Sequence, residues 1–539
     1  METVGIVIIL IAYFLAILVI GIWASRTSTK ESSGYFLGGR KLGPWAISMS
    51  EKASESSGFM MVGLPGEAYS TGMSAAWNSV SSVFSIFNWV FFAKPIRRLS
   101  ELMKSLTIPD FLATRYQDNS NVIRIIGIVV MTVFQTVYAC AQFVAFGVLF
   151  EVTLGIDFEI GVIVGGAITV AYTVVGGFYA VSLTDLIQGI LMAFVFAVLP
   201  LIAIIEIGGF NKMGFALTET MGSDFLQPFF GNSALTVAGL VIIISYLFIG
   251  IGFNGAPHVL VRYMALRNTR DVKRIALIGI IWMMIAYYGA VFMGLSGKVL
   301  FPGLDDPEQI FPTLTMELFP WWFATIILAG GLSTMMSSID SMLLIASSSI
   351  GEDFWNKVLH KGELSEKKTI FVSRIATIII GVFAIIIALN PLDSVFWLAV
   401  FAWAGLATCF GPPIILSLFW KRVTKWGAVA GMIVGPLVTI VWKLWPPIDI
   451  YEGGPAFIAA MLTIVIVSLF TQPPQGEEFE KMWDKYTEKT EVGTPSFLPS
   501  DLEAIEKLQT TNLEMKTEKE IVTTLLNNRC KVTSSFVLK

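Results

Sequence analysis

Thirteen runs of about 20 apolar residues each, the length a helix needs to cross a bilayer, constrain this chain more than any other feature. They cover 3–24, 45–69, 74–93, 122–150, 158–176, 183–207, 234–255, 273–297, 321–350, 369–389, 393–418, 424–445 and 455–472. Composition agrees: 55% of the 539 residues are hydrophobic and 14% charged. Soluble domains run at about 45–50% and about 25%, and mean hydropathy here is +0.73. A soluble enzyme, a secreted disulfide scaffold and a disordered chain are excluded. A net charge of −4 carries no nucleic-acid footprint. Cys140, Cys409 and Cys530 have no metal-ligand spacing, and His258 and His360 are too few for a histidine-based centre.

The first run, Thr3 to Ala24, follows only Met1-Glu2 and is too long for a signal-peptide core, so it reads as a retained span. An odd number of spans puts the termini on opposite sides. Alternate loops carry the basic residues: Arg26, Lys30, Arg40 and Lys41; Lys94, Arg97, Arg98, Lys104 and Arg115; Arg262, Arg267, Arg270, Lys273 and Arg274; Lys357, Lys361, Lys367 and Lys368; Lys421, Arg422 and Lys425. The opposite loops offer little beyond Lys212 and Lys298. The positive-inside rule then places the N-terminus outside and the C-terminus in the cytoplasm. Residues 473–539 are polar and mixed in charge, a cytosolic tail with a stability or regulatory role, in which Ser500 to Asn528 is compatible with one amphipathic helix.

Ionisable groups inside spans are costly unless they face a cavity or a partner. Glu51, Lys52, Glu55, Asp185 and Asp340 are the ones to explain. Glu51 and Lys52 read as a mutual pair near the cytosolic end; Glu55, Asp185 and Asp340 sit deeper. Span 2 carries Ser54-Glu55-Ser56-Ser57-Gly58, a polar stretch ending in glycine that suits a broken helix. Unwinding frees backbone carbonyls, tolerable only beside a cavity, and carbonyls are oxygen ligands for a small cation. The alternative is a kinked helix with serines bonded back to the chain. Span 9 places Thr334, Ser337, Ser338 and Ser341 on one helical face. That stripe reads as a hydroxyl cage for Na⁺, or as a small-residue packing face. Asp340 and Ser341 lie one step further round, within reach of Asp185, for a second cation or a proton. Span 7 ends Gly250-Ile-Gly252-Phe253-Asn254-Gly255-Ala-Pro257-His258, a second interrupted helix five spans after the first. Interrupted helices at corresponding places in two halves point to an inverted-repeat transporter. The expected divisions are residues 1–44 (first helix and cytosolic loop), 45–207 (first repeat), 208–420 (second repeat), 421–472 (two peripheral helices) and 473–539 (tail).

From Tyr35 to about residue 420 the chain resembles the sodium:solute symporter family, most nearly its sodium/proline branch. The resemblance rests on Tyr35-Phe-Leu-Gly-Gly-Arg40-Lys-Leu-Gly-Pro44, Ala53-Ser54 with Ser57-Gly58, and Gly63-Leu-Pro-Gly66. Gly176-Gly177, Thr184-Asp185, Gln188, Pro257-His258-Val-Leu-Val-Arg262-Tyr-Met-Ala265 and Ser337-Ser338 with Asp340-Ser341 extend it. It implies an all-α membrane protein with a LeuT-type five-plus-five core, alternating access, and solute uptake driven by Na⁺. It implies a principal sodium site of Ala53, Ser56 and Thr334 carbonyls with Ser337 and Ser338 hydroxyls. It also implies a second cation or proton region at Asp185, Asp340, Ser341 and Ser337. That branch has Asp at Glu55, Trp at Phe59 and Ile249, and Tyr at Phe253, while Tyr138 keeps its aromatic hydroxyl.

The expected solute pocket is formed by spans 2, 4, 7 and 11 and includes Glu55, Ser57, Gly58, Phe59, Tyr138 and Phe253. It is apolar and aromatic. No deep Arg or Lys is expected to clamp a carboxylate, Lys52 being the nearest and below the site. Half-helix N-termini and freed amides serve instead. Gln142 and Asn254 are too few polar groups for a sugar. The expectation is a plasma-membrane symporter for proline or a similar small amino acid, acting on a small solute within the bilayer and without an obligate protein partner. Alternatives are another small carboxylate or amino-acid-like solute, or a transporter-like sensor. The sequence has no HExxH or GxSxG motif of a membrane enzyme, and two broken spans argue for alternating access over a channel.

Overall fold

The computed structural model describes residues 2–28, 31–228, 236–448 and 450–488. The tail helix expected at Ser500 to Asn528 lies outside them. The regular elements among the described residues are all helices, with no strand. Among the described residues ten helices are long and apolar enough to span a membrane, or eleven if the bent pair Gly239–Asn254 and Pro257–Met264 counts as one span. The expected thirteen are therefore not reached on length and apolarity. The two runs that drop out, 45–69 and 74–93, are helical but segmented. The first divides into Pro44–Gly58, a π-helical turn Phe59–Gly63 and Leu64–Thr71; the second into Ala76–Ser81, Val83–Phe87 and a π turn Asn88–Phe92. Glu51, Lys52, Glu55 and the serines between them keep 45–69 too polar to qualify.

Two helices form the centre. In Trp321–Leu359 and Val395–Phe419, 83% and 89% of the most apolar window is buried, against 22% to 50% in the other eight spans. Both are nevertheless apolar, so burial follows from neighbours on all sides. Trp321–Ser348 packs against Pro44–Gly58, Val122–Leu154, Phe178–Ile207, Glu366–Ala388 and Glu2–Ser28. Val395–Phe419 packs on Val122–Leu154, Lys425–Leu444 and Gly453–Phe470. Peripheral helices turn large apolar side chains outward, such as Phe371, Ile379 and Phe383 of Glu366–Ala388, as a lipid-facing surface requires.

Both breaks come from local chemistry. In the first, Ser57 adopts φ 51° and ψ 178°, a conformation that costs a non-glycine residue of order 1–3 kcal/mol. The surroundings hold it: the Tyr138 hydroxyl donates to Ser57 Oγ at 3.2 Å, and the Gly58 amide donates to Gln142 Oε1 at 2.5 Å. A Cβ on Gly58 would stand 2.8 Å from that of Ala145, so this approach needs glycine. In the second, the helix Val237–Ile251 tightens to a 3₁₀ turn at Gly252–Asn254 and restarts at Pro257, which has no amide hydrogen to continue the ladder. A side chain at Gly252 would collide with the Trp403 indole.

Between Leu300 and Ile310 the connection lays Glu308 across the start of Val395–Phe419. Its carboxylate accepts from the amides of Val395 at 3.0 Å and Phe396 at 2.9 Å, satisfying two of the helix's orphan donors. At the other end of the order, Glu477–Thr487 returns its aromatic face to the bundle. Arg115 lies 5.1 Å from the Phe479 ring and 4.8 Å from that of Trp483.

Candidate functional site

The first broken helix meets the serine-rich helix Trp321–Ser348 along a row of hydroxyls and carbonyls. Ser337 Oγ donates to the Ala53 carbonyl at 2.9 Å and lies 3.2 Å from the Thr334 carbonyl of its own helix. Ser338 Oγ donates to the Ser54 carbonyl at 3.2 Å, and Ser54 Oγ pairs with Ser341 Oγ at 2.7 Å. The i, i+1, i+4 spacing of Ser337, Ser338 and Ser341 thus aims three hydroxyls at one stretch of Pro44–Gly58. Ser56 is turned differently. Its hydroxyl bonds back to the Lys52 carbonyl at 2.6 Å, and its carbonyl accepts from the Phe59 amide. All of these side chains are buried. Hydroxyls rotate and accept as readily as they donate, so this row is a set of neutral oxygens able to turn their lone pairs toward a small cation.

Asp185 and Asp340 do not share a partner. Asp340 is held by the Tyr172 hydroxyl. Asp185 Oδ2 accepts from Ser50 Oγ at 2.7 Å and pairs with Arg262 Nη2 at 3.1 Å. Arg262 also donates to Ser50 Oγ at 2.9 Å, Ser341 Oγ at 2.8 Å, Ser54 Oγ and the His258 carbonyl. One guanidinium therefore ties together the first broken helix, Phe178–Ile207, the second half of the second broken helix and Trp321–Ser348. It lies over the Phe178 ring at 5.6 Å. A hydropathy reading counts Arg262 as a loop charge and finds no deep cation; the structure buries it to 1% exposure. The i+4 step from His258 on a short helix beginning at Pro257 was the available signal.

Lys52 is a buried cation on the first broken helix itself. Glu51 is not its sole partner. Lys52 Nζ is 2.8 Å from Glu51 Oε2, 2.7 Å from Glu55 Oε2 and 2.6 Å from Ser85 Oγ. Glu51 Oε1 in turn accepts from Trp89 Nε1 at 2.9 Å and the Tyr263 hydroxyl at 3.2 Å.

Glu55 lines a small cavity of about 20 Å³. Its walls are Phe59, Tyr138, Ile249, Phe253, Tyr287, Ala399, Val400 and Trp403. Four residues expected for the pocket, Glu55, Phe59, Tyr138 and Phe253, line it. Ser57 and Gly58 stand behind, holding Tyr138 and Gln142. Tyr287 and Trp403 were missed. Trp403 stacks edge-on to Phe253 at 5.2 Å and to Tyr138 at 6.1 Å, and its indole N–H donates to the Ile249 carbonyl near the second break, at 3.1 Å. The cavity thus joins both broken helices to Val395–Phe419, with one carboxylate in a wall of rings. Ligand sites have this composition, mostly apolar with a few placed polar groups.

The chain's sequence relatives and structural neighbours give its family and its fold. The model of the sodium:solute symporter family matches residues 35–435. The osmoregulated proline transporter OpuE of Bacillus subtilis (strain 168) is 35% identical over 481 residues, 88% of this chain and 96% of that protein. The sodium/proline symporter of Staphylococcus aureus (strain JH9) is 35% identical over 483 residues, 87% of this chain and 93% of that protein. Among solved structures, a substrate-bound, outward-open Na⁺-coupled sialic acid symporter superposes with a TM-score of 0.73 at 20% identity, covering 88% of this chain and 99% of that one. MHP1, a nucleobase-cation-symport-1 family transporter in a closed conformation, gives 0.52 at 12% identity over 84% and 98%. These two likenesses speak to fold. With a family model spanning most of its length and relatives of this identity over nearly their whole length, the chain belongs to the sodium:solute symporter family.

Proposed function

We propose that the protein is a sodium-coupled symporter that takes up L-proline or a similar small amino acid. The observation that carries this reading is the junction of two things at one helix break. Neutral oxygens of Ala53, Ser337 and Ser338 meet just ahead of it, and Glu55 and Phe59 beside it line the ring-walled cavity. The names of the relatives at 35% identity support the choice of proline. Na⁺ is held by the carbonyls of Ala53, Ser56 and Thr334 and the hydroxyls of Ser337 and Ser338. On binding, each serine gives up its carbonyl partner and presents its oxygen to the ion. The ion then pins Trp321–Ser348 to the first broken helix just before Ser57 and Gly58. The broken segment contributes Glu55 and Phe59 to the cavity lining, so ordering it favours solute binding, and by linkage the solute favours the ion to the same degree.

In this reading the segmented stretches 45–69 and 74–93 are also spans, which restores thirteen. The two broken helices head five-span repeats of a LeuT-type core, and a second cation or proton is handled around Asp185, Asp340 and Ser341. The chain resides in the plasma membrane with its N-terminus outside and its C-terminus in the cytoplasm. The test is labelled L-proline uptake into proteoliposomes under an inward Na⁺ gradient against a choline control. Accumulation that collapses when the gradient is dissipated is the expected result. Uptake equal in Na⁺ and choline refutes sodium coupling.

A further inference from the structure

Ile249 stands in the wall of two cavities at once. One is the Glu55 cavity of about 20 Å³; the other holds about 560 Å³. Their sizes decide what each can admit. The first has room for about one water molecule, whereas sites for small molecules measure about 300–1,000 Å³. In this state a solute therefore fits the larger cavity and not the smaller. The partition between them is thin. Ile249 is common to both, and Tyr451, in the wall of the larger cavity, donates its hydroxyl to the carbonyl of Val400, in the wall of the smaller one, at 2.9 Å. The larger cavity also touches Asp393 and Glu452, in the connections that follow spans 10 and 12. The topology proposed above puts both connections outside.

We infer that this outer cavity is a second solute site, in line with the first, where an amino acid is held by Glu452 and Lys443 before Ile249 lets it pass inward. The inference rests on the symport reading above and adds to it a site of its own. Glu452 is 6% exposed, and its Oε1 has no hydrogen-bond partner among the described residues. A buried acceptor left without a donor is costly, and an N–H of the solute's amino group supplies one. Glu67, the other glutamate in this wall, already accepts from the Tyr246 hydroxyl at 2.7 Å. Lys443 offers the complementary charge. Its Nζ lies 3.5 Å from Asp393 Oδ2 in a half-exposed pair, a weak hold, and an ammonium has three donors, so it has hydrogen bonds to spare for a carboxylate. Trp397, Trp442 and Tyr451 complete the wall, and aromatic rings suit an ammonium group. An acceptor that lacks a donor and a loosely held cation on one ring-lined cavity match the two ends of an amino acid.

The experiment counts sites. Purified full-length protein in Na⁺ is dialysed against labelled L-proline up to millimolar concentration. Wild type should bind two molecules per chain. Lys443→Met and Glu452→Leu should each bind one, with the affinity of the remaining central site within about twofold of wild type, which also shows that the variant is folded. Glu452→Leu sacrifices no side-chain partner at Oε1, and Lys443→Met alters a half-exposed position, so one of the two serves if the other is unstable. In proteoliposomes both variants should raise the half-saturating proline concentration about fivefold or more and leave the maximal rate within about twofold, as expected of a site passed on the way in. A wild-type plateau of one molecule per chain overturns the inference while the symport reading stands. A plateau of two that persists in both variants overturns it as well, as does loss of the second molecule with both uptake constants unchanged. If proline is not bound at all, the symport reading has the wrong solute, and the same count with the amino acid that the protein does bind in Na⁺ decides the outer site. Binding of no amino acid overturns both.

Discussion

Ser337 Oγ donates to the carbonyl of Ala53 at 2.9 Å although 284 residues separate them. The contact joins a hydroxyl on an intact helix to a carbonyl one turn ahead of a helix break, and Ser338 repeats it one residue on, at the Ser54 carbonyl. Two adjacent hydroxyls in register with two adjacent carbonyls make a ladder that a cation can enter without recruiting any charged group.

Replacing both hydroxyls therefore removes two of the proposed sodium ligands while leaving the apolar packing nearly intact. Each oxygen ligand lost at tenfold in affinity corresponds to about 1.4 kcal/mol. S337A/S338A should raise the half-saturating Na⁺ concentration for proline uptake by at least tenfold, with the protein still folded by its thermal transition. Unchanged Na⁺ dependence in that variant would falsify the site assignment.

Arg262 and Asp185 call for a different kind of mutant. Both are buried, and removing one partner of a buried pair leaves an uncompensated charge at a cost of about 3–5 kcal/mol, whereas replacing both with apolar groups is often near neutral. Arg262→Met and Asp185→Leu should each lower the melting temperature in detergent well below that of the double variant. The double variant should melt near wild type yet transport poorly, because the clasp among four helices is gone. A double variant as unstable as the sum of the singles would mean that the pair is not coupled.

How much of this is readable without coordinates depends on contrast. Serines and acids in apolar runs stand out, so Ser337, Ser338, Glu55 and the break at Ser57–Gly58 were all legible from the chain. Trp403 and Tyr287 were not. They are aromatic residues in helices that are apolar all round, and such helices carry no periodicity to say which face meets the cavity. Arg262 failed for the opposite reason: hydropathy treats any guanidinium as a loop residue, and four of its five partners come from segments 77 to 212 residues away. The span count fell short for a related cause. The segment richest in functional groups, 45–69, is the least apolar, so the feature that makes it a site also removes it from a count based on apolarity.

Glu308 gives a pH prediction. Burial pushes its carboxyl from the usual 4.5 up to about 7, opposed by the amides of Phe396 and Val395 and helped by the charges of Asp306 and Asp393. Between those two values the folded protein holds more of this proton than the unfolded chain, so stability falls as pH rises. The contribution is complete below about pH 4.5 and is lost on passing about pH 7. A shift of this size corresponds to about 3 kcal/mol. Glu308→Gln retains an acceptor for the amides but cannot titrate. Its melting temperature should therefore change less than that of wild type between pH 5 and pH 8; parallel curves would remove Glu308 as the cause.

The helix Glu477–Thr487 offers two contacts of different worth. Trp483 covers Arg115, which also lies 5.1 Å from Phe479 and 5.4 Å from Tyr116, and the guanidinium is oriented by the Ser417 carbonyl at 3.0 Å and the Trp420 carbonyl at 3.3 Å. Arg115 is fully buried, and a desolvated cation–π contact is worth about 2 kcal/mol, with ring burial in addition. The ion pair of Lys421 with Glu480 is shorter, at 2.5 Å, but its side chains are 41% and 51% exposed, and such pairs contribute about 0–1 kcal/mol. The buried contact should win. Trp483→Ala should raise proteolytic cleavage within Thr471–Gly476, mapped by mass spectrometry, by tenfold or more, whereas Lys421→Ala should change it by less than about threefold. If the two variants are cut at the same rate, the helix is held by charge and not by the aromatic cover over Arg115.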